Sequence, residues 1–388
     1  MVFWLTLFLV CLAVVLYNYA GYAVIARLIT PRLKALPEPA DEDLPGVSYI
    51  VAAYNEEDCI GEKIANCLEL DYPKDKIEFL FISDGSTDRT ESIVLSHPAI
   101  RSLHRPQRQG KSAALNRAVG EATKDILICS DANTVLNRDA IRMIVRHYQD
   151  PTIGGVAGEK KVLTSTGKDE VGQAEGLYWK YESFLKKVDA ACYSVVGAAG
   201  ELFSYRRALY EPIASNVILD DFISSMKVTQ RGYRIAYEPG ACAMELPSFS
   251  ITDEQKRKVR IAAGGFQSIG MLKGLLAFWR HPRLSFLYIS HRVLRWAVSP
   301  FCLIGAFLAN GMLVLEGAGL LYLAIFIGQC CFYALAALAA LRPSLRRIKP
   351  VKLAYYFVFM NYCAILGFFR FLKGNQSAAW EKSRRATA

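Results

Sequence analysis

No charged side chain occurs from residue 1 to residue 26, and three further uncharged runs, 296–315, 317–341 and 353–369, lie towards the other end of the chain. Backbone polar groups in lipid must be satisfied within the segment itself, so uncharged runs of this length confine the chain to helices there. The first run is longer than the hydrophobic core of a signal peptide, lacks a basic leader and is followed by Arg27, Arg32 and Lys34. It predicts a retained transmembrane helix over residues 1–30 with its C-terminal end in the cytoplasm. Runs 296–315 and 317–341 are long enough to span a bilayer, whereas 353–369 sits at the short limit and carries Asn361. The apolar content, 53% of 388 residues, agrees with a multi-pass membrane chain.

The net charge of +10 calls for an anionic partner, and its placement decides which. Arg342, Arg346, Arg347, Lys349 and Lys352 crowd the ends of the apolar runs, which fits anionic membrane lipid and argues against nucleic acid. Ten cysteines without a Cys-x-x-Cys pair read as small apolar residues in a reducing compartment, with no disulfide frame and no zinc site. The expected location is the plasma (inner) membrane, with the central region in the cytoplasm. Three spans after that region would place the basic tail, 374–388, outside, while its charges favour the cytoplasm.

Proline and acidic residues mark 31–45 as a linker, so a soluble domain is expected over 46–247. Strands are expected over 47–53, 77–83 and 126–130, each ending in a polar turn, with helices after the first two turns and another over 111–122. Repeated units of this kind imply a parallel sheet with helices on both faces and a ligand crevice at the carboxyl ends of the strands. The polar strand ends are therefore site candidates: Asn55 and Glu56 for a base or ribose, Asp84 for the same, Lys111 for a diphosphate, Asp131 with Asn133 for an oxygen-ligated cation. Downstream, Asp220 and Asp221 open a helix that ends near Arg231, followed by a short strand to Glu238. A carboxylate beside a second acid is held back from full ionisation and can act as a general base. Taken singly, each of these features is also a helix cap, an Asx turn or a solvated loop. Gly110-Lys111-Ser112 resembles the end of a phosphate loop, but that motif needs glycine where Arg105 stands.

The ordered set Val51-Ala52-Ala53-Tyr54-Asn55-Glu56, Asp84-Gly85-Ser86-Thr87-Asp88, Gly110-Lys111-Ser112-Ala113-Ala114-Leu115-Asn116, Ser130-Asp131-Ala132-Asn133 and Leu219-Asp220-Asp221 with Arg231-Gly232-Tyr233-Arg234 resembles the family 2 glycosyltransferases. It is most similar to their membrane-embedded branch, the cellulose, hyaluronan and poly-N-acetylglucosamine synthases. The resemblance implies an α/β fold of the Rossmann-like GT-A type, set between transmembrane helices with interfacial amphipathic helices. It implies a nucleotide-diphosphate sugar donor, a UDP-sugar foremost, and Mg2+ or Mn2+. Tyr54, Asn55, Glu56 and Asp84 would then line the nucleoside, Lys111 the diphosphate, and Asp131 the metal and phosphates. Asn133 stands where the family often has a second aspartate, which lowers the charge offered to a metal. Asp221 matches the catalytic base and Asp220 its acidic neighbour.

Gly200 and Glu201 lie in a stretch, 197–203, that resembles the acceptor-side loop and reads equally as a turn into a strand. Processive members carry Gln-x-x-Arg-Trp further on; here Arg257 replaces the glutamine, Arg260 is kept and Ile261 replaces the tryptophan, removing an aromatic platform for a sugar. Residues 248–295 are expected to lie in the membrane interface or to pack on the soluble domain, and 296–373 to hold about three spans. Trp380, Arg384 and Arg385 are similar to a cytosolic tail of the family. The function so implied is an inverting β-glycosyltransferase that makes or extends an exported polysaccharide or oligosaccharide, in an oligomer or with an export partner. The competing readings are single transfer to a polyprenyl-phosphate or lipid-linked acceptor, with Arg257 and Arg260 meeting its phosphate, and a scaffold with an inactive transferase domain.

Overall fold

Val47–Ala53 combines β-branched, aromatic and small residues, with Ser48 its one polar side chain and no Gly, Pro, Asn or Asp, and it forms a strand, β1, that is buried at every position. A computed structural model describes residues 1–30, 36–37, 39–163, 170–246 and 250–374 of the chain. These fall into two units, one built on Thr30–Thr164 with Tyr178–Pro247 and the other on Met1–Ile29 with Ser248–Asn375.

In the first unit β1 is followed by α1 (Ile60–Leu68), β2 (Ile77–Ser83), α2 (Thr90–Leu95), β3 (Ile100–Ser102), α3 (Lys111–Glu121), β4 (Ile126–Asp131), β5 (Val135–Leu136), α4 (Ala140–Val145) and β6 (Ile153–Val162). Then come α5 (Glu170–Cys192), β7 (Leu202–Arg206), α6 (Asp220–Gln230) and β8 (Arg234–Glu245). One sheet takes all eight strands in the order β3-β2-β1-β4-β7-β6-β8-β5. Alternate residues of each strand point to opposite faces. Tyr49, Val51, Phe79 and Phe81 join Ile60 and Ile64 of α1 in one core layer, whereas Ile50, Ala52, Leu80 and Ile82 join Ala114, Leu115 and Ala118 of α3 in the other.

The sheet is mixed, not all parallel. β1 pairs in parallel with β2 and β4, but β7 runs antiparallel to both β4 and β6. The sequence hides this because β7 is only five residues long and is separated from β4 in the chain by β5, β6 and two helices, so its partner is not its neighbour in sequence. Its direction matters for the site: Leu202 pairs with Ser130, so β7 starts where β4 ends and the residues just before it stand beside Asp131. β8 is also longer than the expected short strand, twelve residues, because it pairs in parallel with the ten-residue β6 across a bulge.

Four helices of the second unit are long and apolar enough to cross a membrane: Val2–Ile29, Pro282–Leu315, Leu320–Leu341 and Lys349–Leu372. The last absorbs the 353–369 run into 24 residues, with Pro350 in its first turn, which removes the shortfall in length. Asn361 within it is satisfied: its Oδ1 accepts from Tyr19 Oη at 2.9 Å, and its Nδ2 donates to Phe357 O at 2.9 Å. Val2–Ile29 contains one π-turn, Tyr17–Gly21, and there Asn18 Nδ2 donates to Ser290 O at 2.8 Å.

Helix Ile251–Met271 buries Ala262, Ala263, Gly264 and Gly265. A Cβ on Gly367 would lie 2.5 Å from Ala262 Cβ, so small residues let Lys349–Leu372 approach it closely. Beyond it, Phe278 and Trp279 are exposed. All ten cysteines are free thiols. The basic tail with Trp380, Arg384 and Arg385 lies outside the described residues.

Candidate active site

The carboxyl ends of β1, β2 and β4 open on one side of the sheet, at the point where strand order reverses between β1 and β4. Asn55, after β1, has a positive φ of 53°. Its backbone N–H donates to Ser86 Oγ, the next N–H to Thr90 Oγ1 at 2.8 Å, and the Asn55 Oδ1 accepts from Thr87 N at 2.8 Å. The Asp84-Gly85-Ser86-Thr87-Asp88 turn is thus stitched to the end of β1 by its own hydroxyls and carboxylate, with Asp88 Oδ2 accepting from Glu57 N. Glu56 carries a carboxylate that accepts from the Cys59 thiol at 3.3 Å.

Asp84 is buried and accepts from the backbone N–H groups of Gln109 and Gly110, the latter at 2.7 Å. Gly85, at φ 71°, lets the chain pass: a Cβ there would lie 2.8 Å from Arg108 N. Arg108 in turn stacks its guanidinium 3.7 Å above the centre of the Tyr54 ring. Ser86 was marked only as a member of its motif and given no role, while Arg108 and Thr90 were not singled out from sequence, since they carry no motif beyond their place in a polar loop.

Gly110, at φ 91°, ends the loop and starts α3, so Lys111 is the first residue of that helix. Its Nζ donates to Asp131 Oδ1 at 2.7 Å. Burial opposes the Lys111 charge, but Asp131, Asp220 and Asp221 outweigh it and hold the ammonium above its ordinary value. On the far side, α6 begins at Asp220, and both aspartates of its first turn suit the positive end of the helix dipole. Asp221 Oδ1 accepts from Phe222 N at 2.8 Å. Burial, and then the charge of Asp220, push the Asp221 carboxyl up to about 7 against the pull of Lys111. Asp220 is buried and its Oδ2 has no hydrogen-bond partner among the described residues.

The loop ahead of β7 brings these groups together. A Cβ on Gly200 would stand 3.2 Å from both Asp221 Oδ2 and Lys111 Nζ, so the space on that side of Gly200 lies next to both base and cation, and a side chain there would crowd them. Gly197, at φ 83°, admits the Phe222 ring, which a Cβ would meet at 2.0 Å. Glu201 points the other way: its Oε1 accepts from Lys160 Nζ at 2.5 Å, and Lys160 also pairs with Glu245 and lies 4.7 Å from the centre of the Trp179 ring. Burial would raise the Glu201 carboxyl, but Lys160 draws it well below the usual range. Lys160 and Trp179 were not singled out from sequence.

Lys111, Asp131, Asp220, Asp221, Gly200 and Glu201 therefore meet in one place, with Tyr54, Asn55, Glu56 and Asp84 on the neighbouring strand ends. Arg257 and Arg260 belong to the helical unit, where Arg257 Nη2 pairs with Glu254 Oε2 at 2.8 Å. No cluster of three His, Cys, Asp or Glu that could hold a metal occurs among the described residues. Half-buried Asn133 and the free lone pairs of Asp131 offer a partial oxygen set, the kind Mg2+ uses when phosphates complete its shell. The donor set thus fits a divalent cation delivered with a diphosphate.

A parallel sheet of order 3-2-1-4 extended by an antiparallel strand, with carboxylates and a lysine at its switch point, is the architecture of the GT-A glycosyltransferases. Residues 48–214 match the model of glycosyl transferase family 2, and the chain carries a family 2 glycosyltransferase domain there. The poly-β-1,6-N-acetyl-D-glucosamine synthase of Staphylococcus aureus strain MSSA476 is 27% identical over 63% of this chain and 61% of its own length. That of Staphylococcus epidermidis is 25% identical over 61% of this chain and 58% of its own. The chain thus spans about three fifths of these relatives. The mannosyltransferase PcManGT of Pyrobaculum calidifontis, solved with GDP-Man and Mn2+, shares the fold with a TM-score of 0.72 at 23% identity, over 95% of this chain and 99% of that one.

Proposed function

We propose that this protein is a metal-dependent, inverting β-glycosyltransferase of the plasma membrane, which uses a UDP-sugar on the cytoplasmic side to make or extend an exported polysaccharide or oligosaccharide. The observation that carries the reading is the juxtaposition of Asp221 and Lys111 beside Gly200, a base and a cation that both lie 3.2 Å from the point where a Gly200 side chain would begin. The acceptor hydroxyl gives its proton to Asp221 Oδ2 as its oxygen attacks the anomeric carbon. The bond to the diphosphate breaks on the opposite face, so an α-linked donor gives a β-linked product. Lys111 stays charged and faces the leaving diphosphate. Asp131 and Asn133 would hold a divalent ion, which when bound would supply Lewis-acid neutralisation of the phosphates. Tyr54 with Arg108, and Asn55, Glu56 and Asp84, frame the nucleoside end of the donor. The named function of the staphylococcal relatives supports a polymer of N-acetylglucosamine as the first product to test.

The test is transfer from a panel of labelled nucleotide sugars by the full chain in lipid with Mn2+ or Mg2+, followed by sizing of the product. A water-soluble ladder from one donor is expected. A single lipid-extractable product would replace polymer synthesis by one transfer to a lipid-linked acceptor, consistent with Ile261 standing in place of the aromatic platform. Because Asp221 must be ionised to take a proton, kcat/KM is expected to climb with pH and reach half its plateau near 7. A profile flat down to pH about 5 would remove Asp221 from the role of base.

A further inference from the structure

Helix α1 places Ile60, Ile64 and Cys67 fully in the core, and Lys63 stands on that same buried face with 1% of its surface exposed. A lysine in such a place costs stability unless every proton of its ammonium is used. All three are: Lys63 Nζ donates to Ser130 Oγ at 2.8 Å, to Thr134 O at 2.9 Å and to Thr134 Oγ1 at 3.2 Å. The two hydroxyls, each receiving a proton from Lys63, pass their own protons on to carbonyls. Thr134 Oγ1 donates to Asp131 O at 2.9 Å, closing the turn that holds Asp131 and Asn133. Ser130 Oγ donates to Glu201 O at 3.0 Å, across to the loop whose preceding residue, Gly200, has the open side where a Cβ would point 3.2 Å from Asp221 Oδ2 and Lys111 Nζ.

We propose that Lys63 is a positioning residue that fixes the spacing between the donor-side turn of Asp131 and Asn133 and the acceptor-side loop of Gly200 and Glu201, with Ser130 as the link. This rests on the transferase reading of the site. The ammonium acts as a hub with two branches: one shapes the metal-side turn through Thr134, the other ties that turn to the backbone of Glu201 through Ser130. Glu201 is held a second time by Lys160, so the loop is clamped at its carbonyl from the Asp131 side and at its carboxylate from the Glu245 side. Water is small and tolerates a shifted loop, whereas a sugar hydroxyl must be aligned with Asp221; a displacement of about 1 Å can cost about 10²-fold in rate.

The branches can be cut to different extents. Ser130→Ala removes the link to Glu201, the 2.9 Å contact between Ser130 Oγ and Thr134 Oγ1 and one partner of Lys63, but leaves Lys63 bonded to Thr134; Lys63→Met removes both branches at their root. Full-length protein in lipid is assayed for sugar transfer, for hydrolysis of the same donor, for affinity for UDP with Mn2+ and for Tm. Ser130→Ala is expected to keep UDP affinity and hydrolysis within about threefold while transfer falls at least tenfold, and Lys63→Met to lose UDP affinity as well. Equal losses of transfer and hydrolysis in Ser130→Ala, or no loss of either, overturn the proposal. Should Lys63→Met fail to fold, the transfer-to-hydrolysis ratio of Ser130→Ala decides alone. Wild-type protein that transfers from no nucleotide sugar would sink the transferase reading itself, a different result from a wild type that transfers and a Ser130→Ala variant that matches it.

Discussion

Asp221→Asn is expected to lower sugar transfer by about 10²–10⁴-fold while UDP affinity changes little. The substitution keeps the shape that Gly200 packs against and the oxygen that accepts from Phe222 N, but an amide cannot take the acceptor proton. The same change has a signed effect on stability. Burial and Asp220 hold the Asp221 proton on in the folded protein up to about 7, whereas the unfolded chain releases it near 3.8. The unfolded state therefore binds fewer protons between those values, and folding stability falls as pH rises through that window. Asparagine removes this contribution, so the variant should gain Tm relative to wild type at pH about 8 and gain nothing at pH about 4. A variant that loses activity and also loses Tm at pH 8 would point to a misfolded site and not to a missing base. Kinetics and calorimetry on the same preparations separate the two.

Much of the parallel half of the sheet was legible in the sequence because it is doubly buried. Val47–Ala53 is apolar but for Ser48 and Ile77–Ser83 but for Glu78 and its last residue, both are bounded by polar turns, and both strands have those limits. The antiparallel half was not legible. β7 is five residues long, and β6 opens with Ile153-Gly154-Gly155, where a Cβ on either glycine would clash with side chains or backbone. Glycine is a poor strand former, so propensity misses a strand that tertiary packing demands. The same division holds at the site. Lys111, Asp131 and Asp221 were marked by position at element ends, but their convergence depends on β7 delivering Gly200 beside them, a pairing of residues some seventy positions apart in the chain. Lys63 had one local sign, a charge three residues after Ile60 on an otherwise apolar helix face. Its partners lie beyond any local pattern.

Asp131 should prove the second most sensitive position, and its variants bear on the metal directly. Asp131→Asn removes the carboxylate that Lys111 grips at 2.7 Å and that would bind the cation. Transfer is expected to fall by about 10²–10³-fold, the scale of losing one preorganised electrostatic contact to the reacting phosphates. The sharper readout is equilibrium binding: in wild type Mn2+ should strengthen UDP binding, and in Asp131→Asn that strengthening should shrink towards nothing. Asn133→Asp is the converse. It adds a hard, charged oxygen to a set that is neutral at that position, so less Mn2+ should be needed for half-maximal UDP binding. The direction is not fixed by charge counting alone, because Asp131, Asp220, Asp221 and Glu201 already crowd the site and a further carboxylate is repelled by them. Lys111, held charged by three of those acids, is what offsets the repulsion. If Asn133→Asp tightened UDP binding equally with and without Mn2+, the new carboxylate would be acting on the fold of the turn. If it tightened binding only when Mn2+ is present, residue 133 faces the cation, and the neutral side chain found there keeps metal affinity low enough for the diphosphate to carry the ion in and out.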